Sequence, residues 1–305
     1  MTNVVPVHSK MPASLGQIAP SATAEITCAQ RAAETLAPAG KRLIEDRYGR
    51  YFLRSRSFRL LCSNRLTAAV TRTVFDRRYP GFMAIVLLRN RWYEEVLASA
   101  VADGIDQIVL LGAGYDTTSL RLPLGAATLF EVDAPPTQRA KREAVARHGL
   151  AVPDAVRYVP CDFECDVLPT VLTAHGFDPS RRSLIVWYGV SFFLSEQAVE
   201  QTLRDVTELS APGSRFLFDY LDTSVVDGTT QFRGALRARS AVARRGEAYT
   251  YGLSRAGADR VLRRYGFRTV ANLSVTDLAS RYGGPNRVWC STDDFFGVIT
   301  GELAS

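Results

Sequence analysis

The stretch "QIVLLGAGYDTTSL", residues 107 to 120, constrains the fold more than any other segment of the chain. Ile108 to Leu111 are mostly branched and apolar, the pattern of a parallel strand buried on both faces. They run directly into Gly112, Ala113 and Gly114, a turn that lets a ligand lie close to the backbone. The dinucleotide fingerprint needs a third glycine three residues after the second, and Thr117 stands there. A P-loop needs Gly-Lys-Ser/Thr, which does not follow either. Phosphate is therefore not the first expectation for this turn.

The flanking sequence sets the architecture. Residues 1 to 24 are rich in Pro, Ser and Thr and read as a loose tail. Residues 25–102 show helical periodicity, broken at Tyr79-Pro80-Gly81, and predict a helical N-terminal cap. From 103 to 305 short apolar runs alternate with helical stretches. The runs are 107–112, 128–133, 156–160, 183–188 and 215–220, a βαβ series that predicts an α/β fold with a mostly parallel sheet and helices on both faces. Ser195 is placed to cap a crossover helix carrying Val199, Leu203 and Val206. The polar, arginine-rich residues 221–247 read as an insertion or a lid, "SRAGADRVLRRYGFRTVANLSV" as a helix and a strand, and "RVWCSTDDFFGVIT" as holding one more strand.

Composition narrows the function classes. With 37 basic and 31 acidic residues the net charge is +6, and the arginine pairs are scattered rather than gathered in a stripe with aromatics. Nucleic acid is not the expected partner. Five widely spread cysteines in a long chain fit a reducing cytoplasm. Cys161 and Cys165 form CxxxC, but none of His8, His148 and His175 makes a metal-ligand spacing with them, so no metal is expected. No run of eighteen apolar residues and no charged-then-apolar leader are present, and a protein neither secreted nor membrane-spanning is expected.

In an open α/β sheet, ligands bind beyond the carboxyl ends of the strands. Those ends carry Gly112 and Gly114 after the first strand, Glu131 and Asp133 at the second, and Asp162 after the third. Asp133 lies 19 residues beyond Gly114, the separation at which an acid accepts from ribose hydroxyls in nicotinamide and adenosyl sites alike. Asp162 is suited to accept from an adenine amine and Phe163 to stack on the ring. Each has a plainer role available: a turn for the glycines, helix capping for the aspartates, core for the phenylalanine. Their order along one sheet edge favours an adenosyl cofactor.

"DGIDQIVLLGAGYDTTSLRL", "FEVDAPPTQRAKREAV", "RYVPCDFECDVLPTVLTAHGFDPSRRSLIVWYGVSFFLSEQAVEQTL" and "GEAYTYGLSRAGADRVLRRYGF" together resemble the leucine carboxyl methyltransferase-like family of S-adenosylmethionine-dependent methyltransferases. The resemblance is to its bacterial branch of carboxyl and phenol O-methylases of polyketide pathways, and it runs from about residue 40 to 290. It implies a class I methyltransferase sheet of seven strands, the seventh antiparallel, with extra N-terminal helices. It also implies that the glycine turn lies under the methionine and ribose of S-adenosylmethionine. In "LLRNRWYEEVL" the family's arginine for the cofactor carboxylate falls on Arg89, whose fork suits a planar carboxylate. Lys141 matches a recurrent basic position without an evident role. Where the family has a glutamate after the fourth strand, this chain has Tyr188, which is open to a hydrogen bond, to a cation–π contact with the sulfonium, or to a drift away from methyl transfer.

The resemblance implies an O-methyltransferase of secondary metabolism, such as antibiotic biosynthesis, acting on a small apolar acceptor, with S-adenosylhomocysteine as product. Positioning an activated sulfonium asks for no acid–base dyad when the acceptor is a carboxylate. Tyr115, Tyr188, Phe192, Phe193, Tyr249 and Tyr251 are candidate walls of an acceptor pocket, and Tyr188 is the candidate catalytic residue. Two alternatives share these residues: a repurposed fold that catalyses a cyclisation or elimination, and a noncatalytic partner subunit. The oligomeric state is not legible. Asp133→Ala and Arg89→Ala are each expected to weaken S-adenosylmethionine binding by about 1 to 3 kcal/mol, as for hydrogen bonds to charged groups. Calorimetric titration measures this, and unchanged affinity in both variants would overturn the assignment.

Overall fold

The computed structural model describes residues 19–283 and 293–304. Among these residues seven strands form one sheet: β1 (Gln107–Leu111), β2 (Thr128–Asp133), β3 (Val156–Pro160), β4 (Ser183–Trp187), β5 (Arg215–Leu221), β6 (Phe267–Ser274) and β7 (Phe296–Leu303). Their order is β3-β2-β1-β4-β5-β7-β6, and β7 pairs antiparallel with both β5 and β6. The order in which successive strands are added reverses between the parallel neighbours β1 and β4, the point at which strand ends open a crevice. The first five strands match the predicted runs to within a residue. Residues 287–292 of the last predicted run lie outside the described residues, and β7 starts after them.

Every residue of β1 and β4 is buried, because both faces of the sheet are covered. Alternate side chains feed two cores. Ile108, Leu110, Leu184, Val186 and Leu217 enter one, with Ile85, Leu88 and Trp92 of the helix Phe82–Ala102. Val109, Leu111, Ile185, Trp187 and Phe216 enter the other, with Val199, Leu203 and Val206 of the helix Glu196–Glu208. Ser195 caps that second helix by accepting from the Ala198 N–H.

The helices are α1 (Ala22–Thr35), α2 (Arg56–Leu61), α3 (Arg65–Arg78), α4 (Phe82–Ala102), α5 (Thr118–Arg121), α6 (Pro135–Arg147), α7 (Leu168–Ala174), α8 (Glu196–Glu208), α9 (Thr223–Asp227), α10 (Arg233–Ala243), α11 (Arg255–Arg264) and α12 (Val275–Tyr282). The predicted division between tail and cap falls inside α1. Ser21 caps this helix by accepting from the Ala24 N–H, so the ordered chain reaches back into the segment read as a tail. Nor do the N-terminal helices form a single layer. Cys28, Ala29, Ala32, Phe52, Leu53 and Ala68 form a small core together with Tyr115 and with Ala144 of α6, whereas α4 packs directly on the sheet.

Glycine is required at the turn after β1. Gly112 and Gly114 have φ of 72° and 48°, and a Cβ on Gly112 would lie 2.1 Å from Val190 Cγ2. Left-handed backbone strain and overpacking therefore add. Gly112→Ala is expected to destabilise the fold by about 2 kcal/mol or more, read as a lower urea midpoint by circular dichroism. An unchanged midpoint would mean that the turn relaxes freely.

Candidate active site

Beyond the ends of β1, β2 and β4 lies a cavity of about 320 Å³. Arg89, Gly112, Gly114, Asp133, Asp162, Phe163 and Tyr188 all line it, although they come from five separate segments. The turn is fixed by hydrogen bonds past the end of β1. The N–H groups of Gly112 and Ala113 donate to the Val132 carbonyl at 2.8 and 2.9 Å, and the Gly114 N–H donates to the Asp133 carboxylate. The other Asp133 oxygen accepts from the Ala134 N–H at 2.7 Å. Each carboxylate oxygen has a further lone pair with which to accept from a ribose hydroxyl. Burial pushes the Asp133 carboxyl up to about 6, in spite of these two donors.

Asp162 bridges its own turn as well as lining the cavity. Its Oδ1 accepts from the Glu164 N–H at 3.0 Å, and its N–H donates to Asp166 Oδ2 at 2.8 Å. Phe163 packs on the second core at the cavity wall. Both carry a structural role beside the expected one. Lys141 lies elsewhere: it is buried against Glu131, with Nζ 2.6 Å from Oε2, and does not line the cavity. The recurrent basic position neutralises a buried strand carboxylate.

Arg89 makes a buried ion pair from α4 to the end of β5, with Nη1 2.5 Å from Asp219 Oδ2. The Gly189 N–H donates to both oxygens of the same carboxylate, at 2.9 and 3.0 Å. Arg89 Nε is buried with no partner among the described residues, so the fork keeps a donor for a second carboxylate. Tyr188 stands beside it, with the guanidinium carbon 5.7 Å from the ring centroid and the Tyr93 ring edge-on at 6.2 Å. Its hydroxyl is also buried and unpartnered among the described residues. Burial, reinforced by Asp219, holds the Tyr188 phenol well above its ordinary range, which makes it a neutral donor rather than a base.

The aromatic wall is as predicted except at one position. Tyr115, Phe192, Phe193 and Tyr249 line the cavity with Tyr188, whereas Tyr251 packs into the second core. Phe82, Ile85, Tyr93 and Phe296 extend the apolar lining. The His148 ring lies tilted against Tyr51, and His175 Nδ1 is 2.7 Å from the Val171 carbonyl; both are outside the cavity, and His8 is outside the described residues.

Four contributors escaped the sequence reading. Asp219 was signalled by a lone acid inside the apolar run "FLFDYL". Ser21, Thr23 and Glu247 had no periodic signal, since they lie in the segments read as tail and lid. They meet at the cavity mouth: Ser21 Oγ donates to Glu247 Oε1 at 2.9 Å, the Thr23 N–H to Oε2 at 3.2 Å, and the Thr23 hydroxyl also bonds this carboxylate.

The donor set and the cradle of the glycine turn fit a cofactor with a planar carboxylate at one end and a ribose at the other. A family model described as leucine carboxyl methyltransferase matches residues 24–207. The chain belongs to the leucine carboxyl methyltransferase family. A Rhodococcus jostii protein, named for S-adenosyl-L-methionine-dependent methyltransferase activity, is 34% identical over 216 residues, covering 68% of this chain and 67% of its own. A Mycobacterium bovis protein of the same naming is 32% identical over 216 residues, covering 68% and 66%. The chain spans about half the length of several other curated relatives, such as 47% of one from Mycolicibacterium smegmatis. Among solved structures, a Thermobifida fusca methyltransferase superposes with a TM-score of 0.56 at 15% identity, covering 79% of this chain and 90% of that one. A DUF574 family protein of Streptomyces avermitilis also gives 0.56, at 16% identity, with 79% and 92% covered. These two establish the α/β methyltransferase fold. As a leucine carboxyl methyltransferase family member the protein is an S-adenosylmethionine-dependent methyltransferase, and S-adenosylmethionine is its cofactor.

The raised Asp133 carboxyl has opposite consequences for binding and for stability. Only the carboxylate accepts two ribose hydroxyls, so cofactor affinity is expected to fall as pH drops through about 6. Folding stability moves the other way: protonation is favoured in the folded state, so this group's contribution is present at low pH and is lost as pH rises through about 6. Calorimetric titration and thermal melts of wild type and Asp133→Asn across the window from the ordinary carboxyl value of 3.8 to above 6 check both; identical pH profiles in the two proteins would sink the assignment.

Proposed function

We propose that the protein transfers the methyl group to a carboxylate or phenol oxygen of a small, largely apolar metabolite, of the secondary-metabolic kind. The observation that carries this reading is the cavity wall beyond Arg89. It is aromatic and aliphatic, built from Phe82, Ile85, Phe192, Phe193, Tyr249 and Phe296, and no imidazole is among the described residues that line it. The phenols of Tyr93, Tyr188 and Tyr249 are all raised by burial and stay protonated. The Glu247 carboxylate elsewhere in the lining is engaged by Ser21 and Thr23, so the wall favours an acceptor that is already anionic, as a carboxylate or an acidic phenol is, over a neutral alcohol that needs a base.

The bound cofactor supplies an electrophilic methyl on a sulfonium. The chain's own residues position and exclude water. Arg89 Nε is free to hold the cofactor carboxylate, Asp133 the ribose, and Asp162 with Phe163 the adenine. Tyr188 presents a neutral ring and hydroxyl where the family has a glutamate, which removes a negative charge that would repel an anionic acceptor. The free, mostly buried Cys28, Cys62 and Cys161 fit a reducing cytoplasm.

A second reading, a methyltransferase fold used for another reaction or as a noncatalytic partner, rests on Tyr188 alone. The deciding experiment incubates the purified protein with S-adenosylmethionine and a panel of apolar carboxylic acids and phenols. Mass spectrometry is expected to detect an ester or ether heavier by one methylene unit, together with S-adenosylhomocysteine. Cofactor binding with no methylated product from any acceptor class would favour the second reading.

A further inference from the structure

A second cleft, of about 540 Å³, lies beside the segment that leads into α1. Its walls come from the 3-10 turn Gly49–Phe52, from α2 with its approach, and from α6. Arg50, Arg54 and Arg59 line it from the first two, and Arg139, Arg147 and His148 from the third side. Glu143 is the one carboxylate residue among the described lining residues. Five guanidiniums against one carboxylate leave the cleft positive whatever the state of the imidazole.

The local sequence cannot offset that charge. Residues 47 to 75 contain seven arginines and no Asp or Glu, and residues 1 to 24 contain no acid either. Glu25 comes next, and its Oε1 is taken by the N–H groups of Arg54 and Ser55 at 2.8 and 2.6 Å. None of the five arginines makes an ion pair with a described residue, in contrast to Arg31, Arg89 and Arg121. The Tyr51 ring holds one wall, with Arg50 over its face at 4.7 Å and His148 against it at 5.0 Å. The scattered arginines of the sequence are thus gathered by the fold into one concave site.

That site is separate from the cofactor cavity but adjoins it. Pro20 and Pro136 border the cleft, while the next residues, Ser21 and Thr137, border the cavity. The Ser21 N–H closes the gap by donating to Thr137 Oγ1 at 3.1 Å.

We propose that this cleft is a second binding site, for a diphosphate or similarly multiply charged phosphorylated group. Arginine forks match phosphate oxygens in pairs, and a charge excess of this size suits a multiply charged anion better than a lone carboxylate. A concave site also takes one discrete group, whereas a nucleic-acid strand needs a groove that tracks its backbone. The headgroup of an anionic phospholipid carries the same chemistry, and Leu60 and Leu66 on the adjoining helices are 67% and 80% exposed.

The test titrates the full chain with inorganic pyrophosphate at constant ionic strength, in wild type and in an Arg139→Ala/Arg147→Ala variant. Both positions are exposed and outside the cofactor cavity. One-site binding is expected, weakened at least about tenfold in the variant by loss of two charge-assisted contacts, with S-adenosylhomocysteine affinity unchanged. Failure of S-adenosylhomocysteine to bind even wild type would count against the cofactor reading and leave the cleft standing. Absent pyrophosphate binding, binding equal in both proteins, or competition with S-adenosylhomocysteine would overturn the proposal. Vesicles of phosphatidylserine and of phosphatidylcholine separate the sources: variant-sensitive capture by the former, beside pyrophosphate binding, assigns a lipid headgroup, and no capture assigns a soluble phosphate. Capture by vesicles without pyrophosphate binding would replace the cleft with a membrane-facing surface.

Discussion

The backbone turn at Gly112 to Gly114 organises everything around it. Two of its N–H groups converge on the Val132 carbonyl and the third on Asp133, so β1 and β2 are tied together past the point where their ladder ends. This brings bare backbone to the crevice and leaves room for close neighbours. Val190 packs where a Gly112 side chain would be, and Ala24 of α1 would be 3.2 Å from a Cβ on Gly114. The turn thereby sets how closely both the loop after β4 and the N-terminal helix approach the site.

Charge is handled in pairs at depth and left open where a ligand is to be met. Lys141 with Glu131 and Arg31 with Asp46 are buried pairs that also hold elements together, since Arg31 donates to the Tyr115 carbonyl at 2.6 Å. Removing one partner of such a pair leaves a charge that water cannot reach, which typically costs about 3 to 5 kcal/mol. Arg89 is only partly neutralised: Asp219 takes one edge and Nε remains. In the second cleft the guanidiniums have no described carboxylate partners at all. The half-paired Arg89 and the cleft arginines without a described ion pair mark the two places where an anion can be held.

Closure of the cavity depends on residues that are remote in sequence. Ser21 and Thr23, from the start of α1, meet Glu247, from the turn after α10. The stretch read as a lid is therefore half scaffold, through α9 and α10, and half contact for the N-terminal helix. These bonds are part-buried and join segments more than two hundred residues apart, so they tie the N-terminal helix to the cavity rim.

The sequence by itself determined the strands, their order of appearance and the strand-end residues, because burial on both faces gives continuous apolar runs and a ligand turn needs glycine. Gly112, Gly114, Asp133, Asp162 and Phe163 were legible as cavity residues for that reason: each ends a strand or follows one at short range. Arg89 and Tyr188 were legible only through resemblance to a family. What only the tertiary structure decided are the partnerships made across long separations. That Asp219 faces Arg89, that Lys141 serves Glu131 and not the cavity, that Tyr251 turns into the core, and that Glu247 reaches α1 depend on packing angles that local periodicity does not encode. The convergence of Arg50, Arg54, Arg59, Arg139 and Arg147 is of the same kind, since the segment from the 3-10 turn to α2 must first be brought against α6, far away in the chain, before their charges share one cleft.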